Sequence, residues 1–304
     1  MATARAACVC LPRVEEIELI GDNHTITGLP DLPERYGLVG QAIELSRAPF
    51  VHGLFARQTQ RHMVYRKYQV TPDAFRAWTR SFFREDGKGL TITTPYKQAA
   101  AELAAELTPR AMRAGAANTL SKRGDRIVGD NTDGAGLVRD LRDNLGITVA
   151  DKSLLILGAG GATRGAIAPL LALSPRQLVI ANRTADRARQ VAEHFGDLGR
   201  VRGCAFAELE ARPVDIIINA TSIGLAGEMP ALDPGVIGES SLCYDMAYGR
   251  GRTPFTRWAQ QHGCRRCVKG WGMLVEQAAE SFQLWHGVRP ETASVIAILS
   301  ADEP

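Results

Sequence analysis

The stretch SLLILGAGGATRGAIAPLLALSPRQLVIANRT, Ser153 to Thr184, decides the fold of this chain. It opens with Leu154 to Leu157, four apolar residues in a row, the mark of a strand buried on both faces. Gly158, Gly160 and Gly161 follow, then Ala162, Thr163 and, a little further on, Gly165. A helix-like run to Leu173 leads into a second buried strand, Leu178 to Ala181, which ends at Asn182-Arg183. Strand, glycine turn, helix and strand within about thirty residues make one βαβ unit. Glycine suits the turn because one residue takes a positive φ and another lets a pyrophosphate approach the backbone. The helix N-terminus offers that pyrophosphate free N–H groups and a partial positive charge. Gly158, Gly160, Gly161, Ala162 and Thr163 are therefore the expected pyrophosphate contacts. The plainer account, an ordinary glycine loop, explains the glycines but not the two strands and helix at this spacing.

The end of the second strand addresses the cofactor. An NAD site usually places an acid there to accept from the ribose 2′-hydroxyl. Here stand Asn182, Arg183 and Thr184, with Arg187 one turn on and no carboxylate at the strand end. Two cations suit a 2′-phosphate, so NADP is expected over NAD. Both arginines can equally be solvated surface residues, and Asp186 is near enough to pair with either.

The rest of the chain bounds the reading. A length of 304 residues suggests two domains, and 45% hydrophobic with 23% charged residues is ordinary for a globular protein. A net charge of +3 is too small to argue for nucleic acid or a membrane surface. No apolar run approaches the eighteen or so residues of a membrane span. The start, MATARAACVCLPR, makes a poor signal peptide, so a cytoplasmic address is expected. Six cysteines are present; Cys8, Cys10, Cys264 and Cys267 can be read as zinc thiolates, but reduced cytosolic thiols are the plainer account. No metal is expected.

Residues 1–34 are rich in turn formers without a sustained period and read as an irregular arm. From Tyr36 the pattern alternates between strands and helices. Strands are expected at 36–40, 62–70 and 90–93, at 117–120 and 127–128, and at 214–218 and 242–244. Helices are expected after Ser46 as N-cap, after Thr71-Pro72, from Thr94-Pro95 to Leu107, and after GDNTDG (129–134). Others are expected from Thr184 to His194, from Thr253-Pro254 to Gly263, and over 271–287.

Two residues stand out chemically. With Thr94 as N-cap, Lys97 falls at the third helical position, where a cation opposes the helix dipole and has reason to give up its proton. A catalytic lysine wants that shift, although a surface lysine tolerates the position at small cost. Asp133 stands in the first turn of its own helix, where a carboxylate is favoured. GDNTDG gathers two carboxylates, an amide and a hydroxyl, groups that suit a polyol substrate or simply build a turn and a cap.

The residues also resemble a family. The stretches YGLVGQAIELSRAPFVH, TITTPYK, GAANTL, GDNTDGAGL, GAGGATRGA, ANRT, INATSIG, YDMAYGRGRTPF and GWGMLVEQAAESF, in this order across residues 36–287, resemble shikimate dehydrogenase. The resemblance implies an NADP-linked oxidoreductase that reduces 3-dehydroshikimate to shikimate on the way to the aromatic amino acids. It implies Lys97 and Asp133 as the catalytic pair, Ser46 and Tyr248 at the substrate carboxylate, and Thr93, Asn118 and Gln277 at ring hydroxyls. It places Asn182, Arg183, Thr184 and Arg187 at the adenosine ribose phosphate, and Met246 and Gly270 near the nicotinamide. The implied fold is two-domain α/β. A discontinuous substrate domain, 35–134 with 271–304, flanks a doubly wound Rossmann-type domain, 135–270, and the chain is a monomer or homodimer.

Four departures qualify the match. Ala48 stands where the family has the second serine of SKSP, and Thr91 where it has the asparagine of NVT. Lys269 and Trp271 replace the acid and leucine of DGLGM, and the arm over 1–34 has no counterpart. These keep open a paralogue acting on quinate or a modified shikimate. A weakly active NADP-binding regulatory protein is the reading from another class, and the intact Lys97 and Asp133 argue against it.

Overall fold

The computed structural model describes residues 32–249 and 251–301. The arm, with Cys8 and Cys10, lies outside the described residues but for its last three positions. The elements in chain order are β1 (Glu34–Gly40), α1 (Ala48–Gln58), β2 (Met63–Gln69), α2 (Phe75–Arg84), β3 (Gly87–Ile92), α3 (Lys97–Leu103) and β4 (Glu106–Leu107). Next come α4 (Pro109–Ala114), β5 (Thr119–Arg123), β6 (Arg126–Asp130), α5 (Asp133–Arg139), β7 (Ser153–Leu157), α6 (Gly161–Leu171), β8 (Gln177–Asn182) and α7 (Ala185–His194). The chain continues with β9 (Val201–Ala205), β10 (Val214–Asn219), β11 (Ile237–Asp245), α8 (Pro254–Gln261), β12 (Arg266–Lys269), α9 (Trp271–His286) and α10 (Ala293–Ala301).

The first sheet runs β2-β1-β3-β5-β6-β4. It is parallel at β1 with β2 and β3, and antiparallel where β5 meets β3 and β6. Phe75, Phe82 and Phe83 of α2 pack with Leu90, Ile92 and Leu120 of the sheet. Helices α1, α9 and α10 enclose a separate cluster around Phe55, Val275 and Phe282.

The second sheet runs β12-β11-β10-β7-β8-β9, parallel at every pairing. The unbroken apolar run of β7 divides by alternation. Leu154 and Ile156 join the core under α5, α6 and α7, while Leu155 and Leu157 join the core under α8. The strand order reverses between β7 and β10, the place where doubly wound sheets bind ligands. The glycine turn after β7 sits there: a Cβ on Gly158 would meet Thr221 Cγ2 at 3.2 Å and the Ala220 carbonyl at 3.3 Å. Helix α5 packs against both α9 and α6, tying the two sheets together.

Local readings need three corrections. The helix expected over 94–107 is only α3, because Ala104 turns extended and Ala105 N–H donates to the Ile127 carbonyl, leading into β4 beside β6. Its N-cap is Tyr96, so Lys97 is the first helical residue and not the third. The N-cap of α1 is Arg47, not Ser46, although Ser46 Oγ still accepts from the Ala48 N–H at 3.3 Å. Strands β4 and β9 and helix α4 had no matching expectation.

Candidate active site

The first turns of α3 and α5 bring Lys97 and Asp133 together. Lys97 Nζ donates to Asp133 Oδ2 at 2.5 Å, and the side chains are only 13% and 6% exposed. A pair this far from water holds its geometry better than a surface ion pair does. Asp133 is fixed from its other side as well. Asn118 Nδ2 lies 3.0 Å from Oδ1, and the Asp133 N–H donates to Asn131 Oδ1 at 3.2 Å.

Asn118 is the hub of the surrounding network. Its amide nitrogen also reaches Thr132 Oγ1 at 2.9 Å and Gln277 Oε1 at 3.2 Å, and its oxygen accepts from the Thr132 N–H at 2.7 Å. Gln277, carried by α9, anchors its own amide on the Leu274 carbonyl at 3.0 Å. Thr119 and Ser281 hydroxyls close the network 2.7 Å apart. In a buried setting such mutual satisfaction fixes one arrangement of side chains.

Ser46 and Tyr248 face one another across 3.4 Å of hydroxyl contact, from residues 202 positions apart. The Tyr248 ring packs on Trp271 with centroids 4.9 Å apart, and burial pushes its phenol up. Thr93 lies just past β3, its methyl group filling the space beside Gly40. Ala48 is buried with Leu38 and Ile43, and Tyr65 packs against them. Thr91 Oγ1 and the Tyr65 hydroxyl are buried beside one another, and neither has another hydrogen-bond partner among the described residues. Tyr65 stacks on His52 at 4.2 Å between centroids.

The glycine turn lies against this cluster. A Cβ on Gly161 would meet Lys97 Cβ at 3.0 Å, so glycine there lets α6 begin beside the Lys97–Asp133 pair. Gly158 has φ +102, and Thr163 Oγ1 donates to its carbonyl at 2.8 Å. Gly160 is the N-cap of α6, with open space where a Cβ would point. The first N–H groups of α6, from Gly161, Ala162 and Thr163, lack intrahelical acceptors. At the end of β8, Asn182 Nδ2 donates to the Thr184 carbonyl at 2.9 Å, shaping the turn into α7. Arg183 and Arg187 are exposed, and neither has an ion-pair partner among the described residues. Asp186 pairs with Arg189 at 3.3 Å instead of with either of them. Open glycine backbone, free helix N–H groups and two uncommitted guanidinium groups fit a phosphorylated dinucleotide.

Met246 and Gly270 meet just past the ends of β11 and β12. A Cβ on Gly270 would stand 2.5 Å from the Met246 carbonyl, and Gly270 N–H donates to the Ala247 carbonyl at 3.1 Å. Asp245 holds this loop by accepting from Ala247 N–H at 3.0 Å, Asn219 Nδ2 at 3.0 Å and Thr253 Oγ1 at 2.6 Å. Lys269 donates to the carbonyls of Gly251 at 2.6 Å and Gly249 at 3.2 Å, steadying the same loop.

Asn118 and Gln277 thus bond into the network around the Lys97–Asp133 pair and Ser46 meets Tyr248, whereas Thr93 packs beside Gly40 and bonds to neither group among the described residues. Sequence reasoning had no role for Tyr65, Thr119, Ser281 or Asp245. Thr119 sits next to Asn118 in GAANTL and Asp245 inside YDMAYG, so motif neighbourhood could have found both; nothing marked Tyr65. No cluster of histidine, cysteine or acid side chains among the described residues can hold a metal. No described helix is long and apolar enough to cross a membrane.

Comparison with known proteins places the chain in a family. Residues 38–120 match the shikimate dehydrogenase substrate binding domain, 141–226 the shikimate/quinate 5-dehydrogenase family and 270–299 the shikimate 5′-dehydrogenase C-terminal domain. The chain is 52% identical over 271 residues to the shikimate dehydrogenase (NADP(+)) of Methylococcus capsulatus, covering 89% of this chain and 97% of that one. It is 49% identical to the enzyme of the same name from Alkalilimnicola ehrlichii, over 88% of this chain and 99% of the relative. The crystal structure of shikimate dehydrogenase from Aquifex aeolicus superposes with a TM-score of 0.79 at 26% identity, covering 90% and 99% of the two chains. The Thermus thermophilus enzyme in complex with NADP(H) and shikimate superposes with a TM-score of 0.76 at 27% identity, over 88% and 99%. With about half its residues shared with such enzymes over nearly their full length, the chain belongs to the shikimate dehydrogenase family.

Proposed function

We propose that the chain catalyses the NADP-linked, reversible interconversion of 3-dehydroshikimate and shikimate, with Lys97 and Asp133 as the catalytic pair. The observation that carries this reading is the buried 2.5 Å contact between them, set beside the glycine turn. NADPH, when bound, supplies the hydride that reduces the substrate ketone. Lys97 Nζ delivers a proton to the oxygen on which negative charge develops, and in the reverse direction takes it back. Asp133 orients the ammonium through Oδ2, while Asn118 fixes the carboxylate through Oδ1. Asn118, Thr93 and Gln277 take ring hydroxyls, and Ser46 and Tyr248 hold the carboxylate of the substrate. Gly158 to Thr163 receive the pyrophosphate; Asn182, Arg183, Thr184 and Arg187 take the ribose phosphate, and Met246 and Gly270 border the nicotinamide. In this reading residues 35–134 with 271–304 are the substrate side and 135–270 the cofactor side, in a cytoplasmic enzyme.

A second reading rests on Ala48 and Thr91. Ala48 takes one hydroxyl from the carboxylate site, and Thr91 Oγ1 has only the buried Tyr65 hydroxyl beside it, so quinate or a modified shikimate is the alternative substrate. The deciding experiment measures NADP⁺ and NAD⁺ reduction with shikimate and quinate side by side. Shikimate with NADP⁺ should give the highest kcat/KM. Turnover of quinate with none of shikimate would replace the first reading by the second.

A further inference from the structure

One edge of the second sheet carries three thiols that none of these roles uses. Cys243 and Cys267 are directly opposed partners on β11 and β12. Opposed residues on neighbouring strands point to the same face, with the strands about 4.8 Å apart. That spacing falls inside the range of about 4.4–6.8 Å between Cα atoms that a disulfide requires. Cys264 stands just before β12, its thiol donating to the carbonyls of Ser241 and Arg266, each at 3.4 Å. Cys243 and Cys264 are buried in the core under α8, whereas Cys267 is half-buried.

The three sulfurs are not equivalent. Hydrogen bonding from the Cys243 thiol, helped by Cys264 and by the charge of Arg252, outweighs burial and holds the Cys267 thiol below its ordinary range. The same hydrogen bond, together with burial, pushes Cys243 up. The half-buried Cys267 sulfur, the easier of the two to ionise, therefore faces the buried Cys243 thiol, the arrangement of an attacking cysteine beside its resolving partner.

We propose that Cys267 is a site of oxidation by hydroperoxides and that Cys243 captures it as an intramolecular disulfide joining β11 to β12. The Cys267 thiolate attacks one peroxide oxygen and the O–O bond breaks. The sulfur loses two electrons to become a sulfenic acid, and the other oxygen takes a proton from solvent and leaves as water from hydrogen peroxide or as the alcohol from an organic hydroperoxide. The Cys243 sulfur then attacks the Cys267 sulfur, the S–O bond breaks, and the hydroxyl leaves as water with the Cys243 proton. The link forms three residues before Met246 on one strand and three before Gly270 on the other, next to the loop that Asp245 holds.

The test uses the full chain, reduced, freed of reductant and exposed to a few equivalents of hydrogen peroxide. Free thiols are alkylated and the peptides mapped without reduction. Cys204, buried on β9 at the opposite edge with its thiol pushed up by burial, is the internal comparator. The expected result is a Cys243–Cys267 linked peptide that forms while Cys204 stays free and that dithiothreitol reverses. In Cys243→Ser, dimedone should label Cys267 several-fold more than in the wild type. Cys243→Ala serves the same purpose should the serine variant not fold. The proposal is overturned if Cys267 oxidises no faster than Cys204, or if its partner is Cys264, Cys8 or Cys10. Equal dimedone labelling in variant and wild type overturns it too.

Discussion

The two halves of the candidate site are prepared in opposite ways. On the substrate side, Lys97, Asp133, Asn118, Thr132 and Gln277 are bound to one another and almost sealed from water. On the cofactor side, Arg183 and Arg187 reach into solvent without an ion-pair partner, and Gly160 has nothing near it. The contrast follows from what each half has to do. A proton donor must stand in one place when charge develops, so its geometry is set before substrate arrives. A phosphate clamp supplies charge that water can screen until the ligand displaces it, so open arginines cost little in the free protein.

If the halves are this distinct, variants should separate them. The largest effect is expected from Asp133→Asn, which keeps the shape but removes the charge that orients Lys97. Its kcat should fall by about 10²–10⁴, with NADP affinity nearly unchanged by fluorescence titration. A matching loss of NADP affinity would erase the distinction. Arg183→Ala should do the reverse. Losing a charge-assisted contact to the phosphate is worth about 1.5–3 kcal/mol, or roughly 10–100-fold in NADP affinity, with NAD binding and saturated kcat little altered. An unchanged preference for NADP would remove Arg183 from the clamp.

The backing layer of the substrate side gives a smaller, pH-dependent effect. Burial, with some help from His286, drives the His52 imidazole down to about 3 from its ordinary 6.5. Between those values the unfolded chain binds a proton that the folded chain refuses. Stability is therefore full above pH 6.5 and declines as pH falls toward 3. This one group should account for about 2 kcal/mol between pH 7.5 and 5. Urea midpoints at the two pH values should show that difference shrink in His52→Phe; an identical pH dependence would contradict it. The smallest effect is expected at Ala48. Ala48→Ser should lower KM for shikimate by about tenfold, some 1.4 kcal/mol, with less change in kcat. Unchanged shikimate kinetics, or loss of turnover of another acid, would point to a site shaped for that acid.

How much could be read in advance differed between the halves too. The glycine turn is local: its strand, helix and next strand are continuous in sequence, so periodicity and glycine placement were enough. The proton site is assembled from far apart. Asn118 and Gln277 touch across 159 positions, and Ser46 and Tyr248 across 202, separations that no periodic pattern reports. Those residues were legible only through family resemblance. Lys97 was recognised by its place in a first helical turn, but two positions off, because Tyr96 rather than Thr94 caps α3. Strand β4 is two residues long and β9 carries a glycine and an arginine, so both lack the apolar signature of β7. Tyr65 was invisible because its interest lies in a hydroxyl buried against Thr91, a property of packing.

The most direct test of the division between the halves is a single-turnover experiment on Lys97→Ala with NADPH already bound. NADPH fluorescence gives cofactor affinity before 3-dehydroshikimate is added, and its decay afterwards gives the rate of hydride transfer. The expected result is wild-type NADPH affinity with transfer slowed by about 10²–10⁴. Transfer at a near wild-type rate would exclude Lys97 from the chemistry, and an equal loss of NADPH affinity would contradict the separation of the two halves.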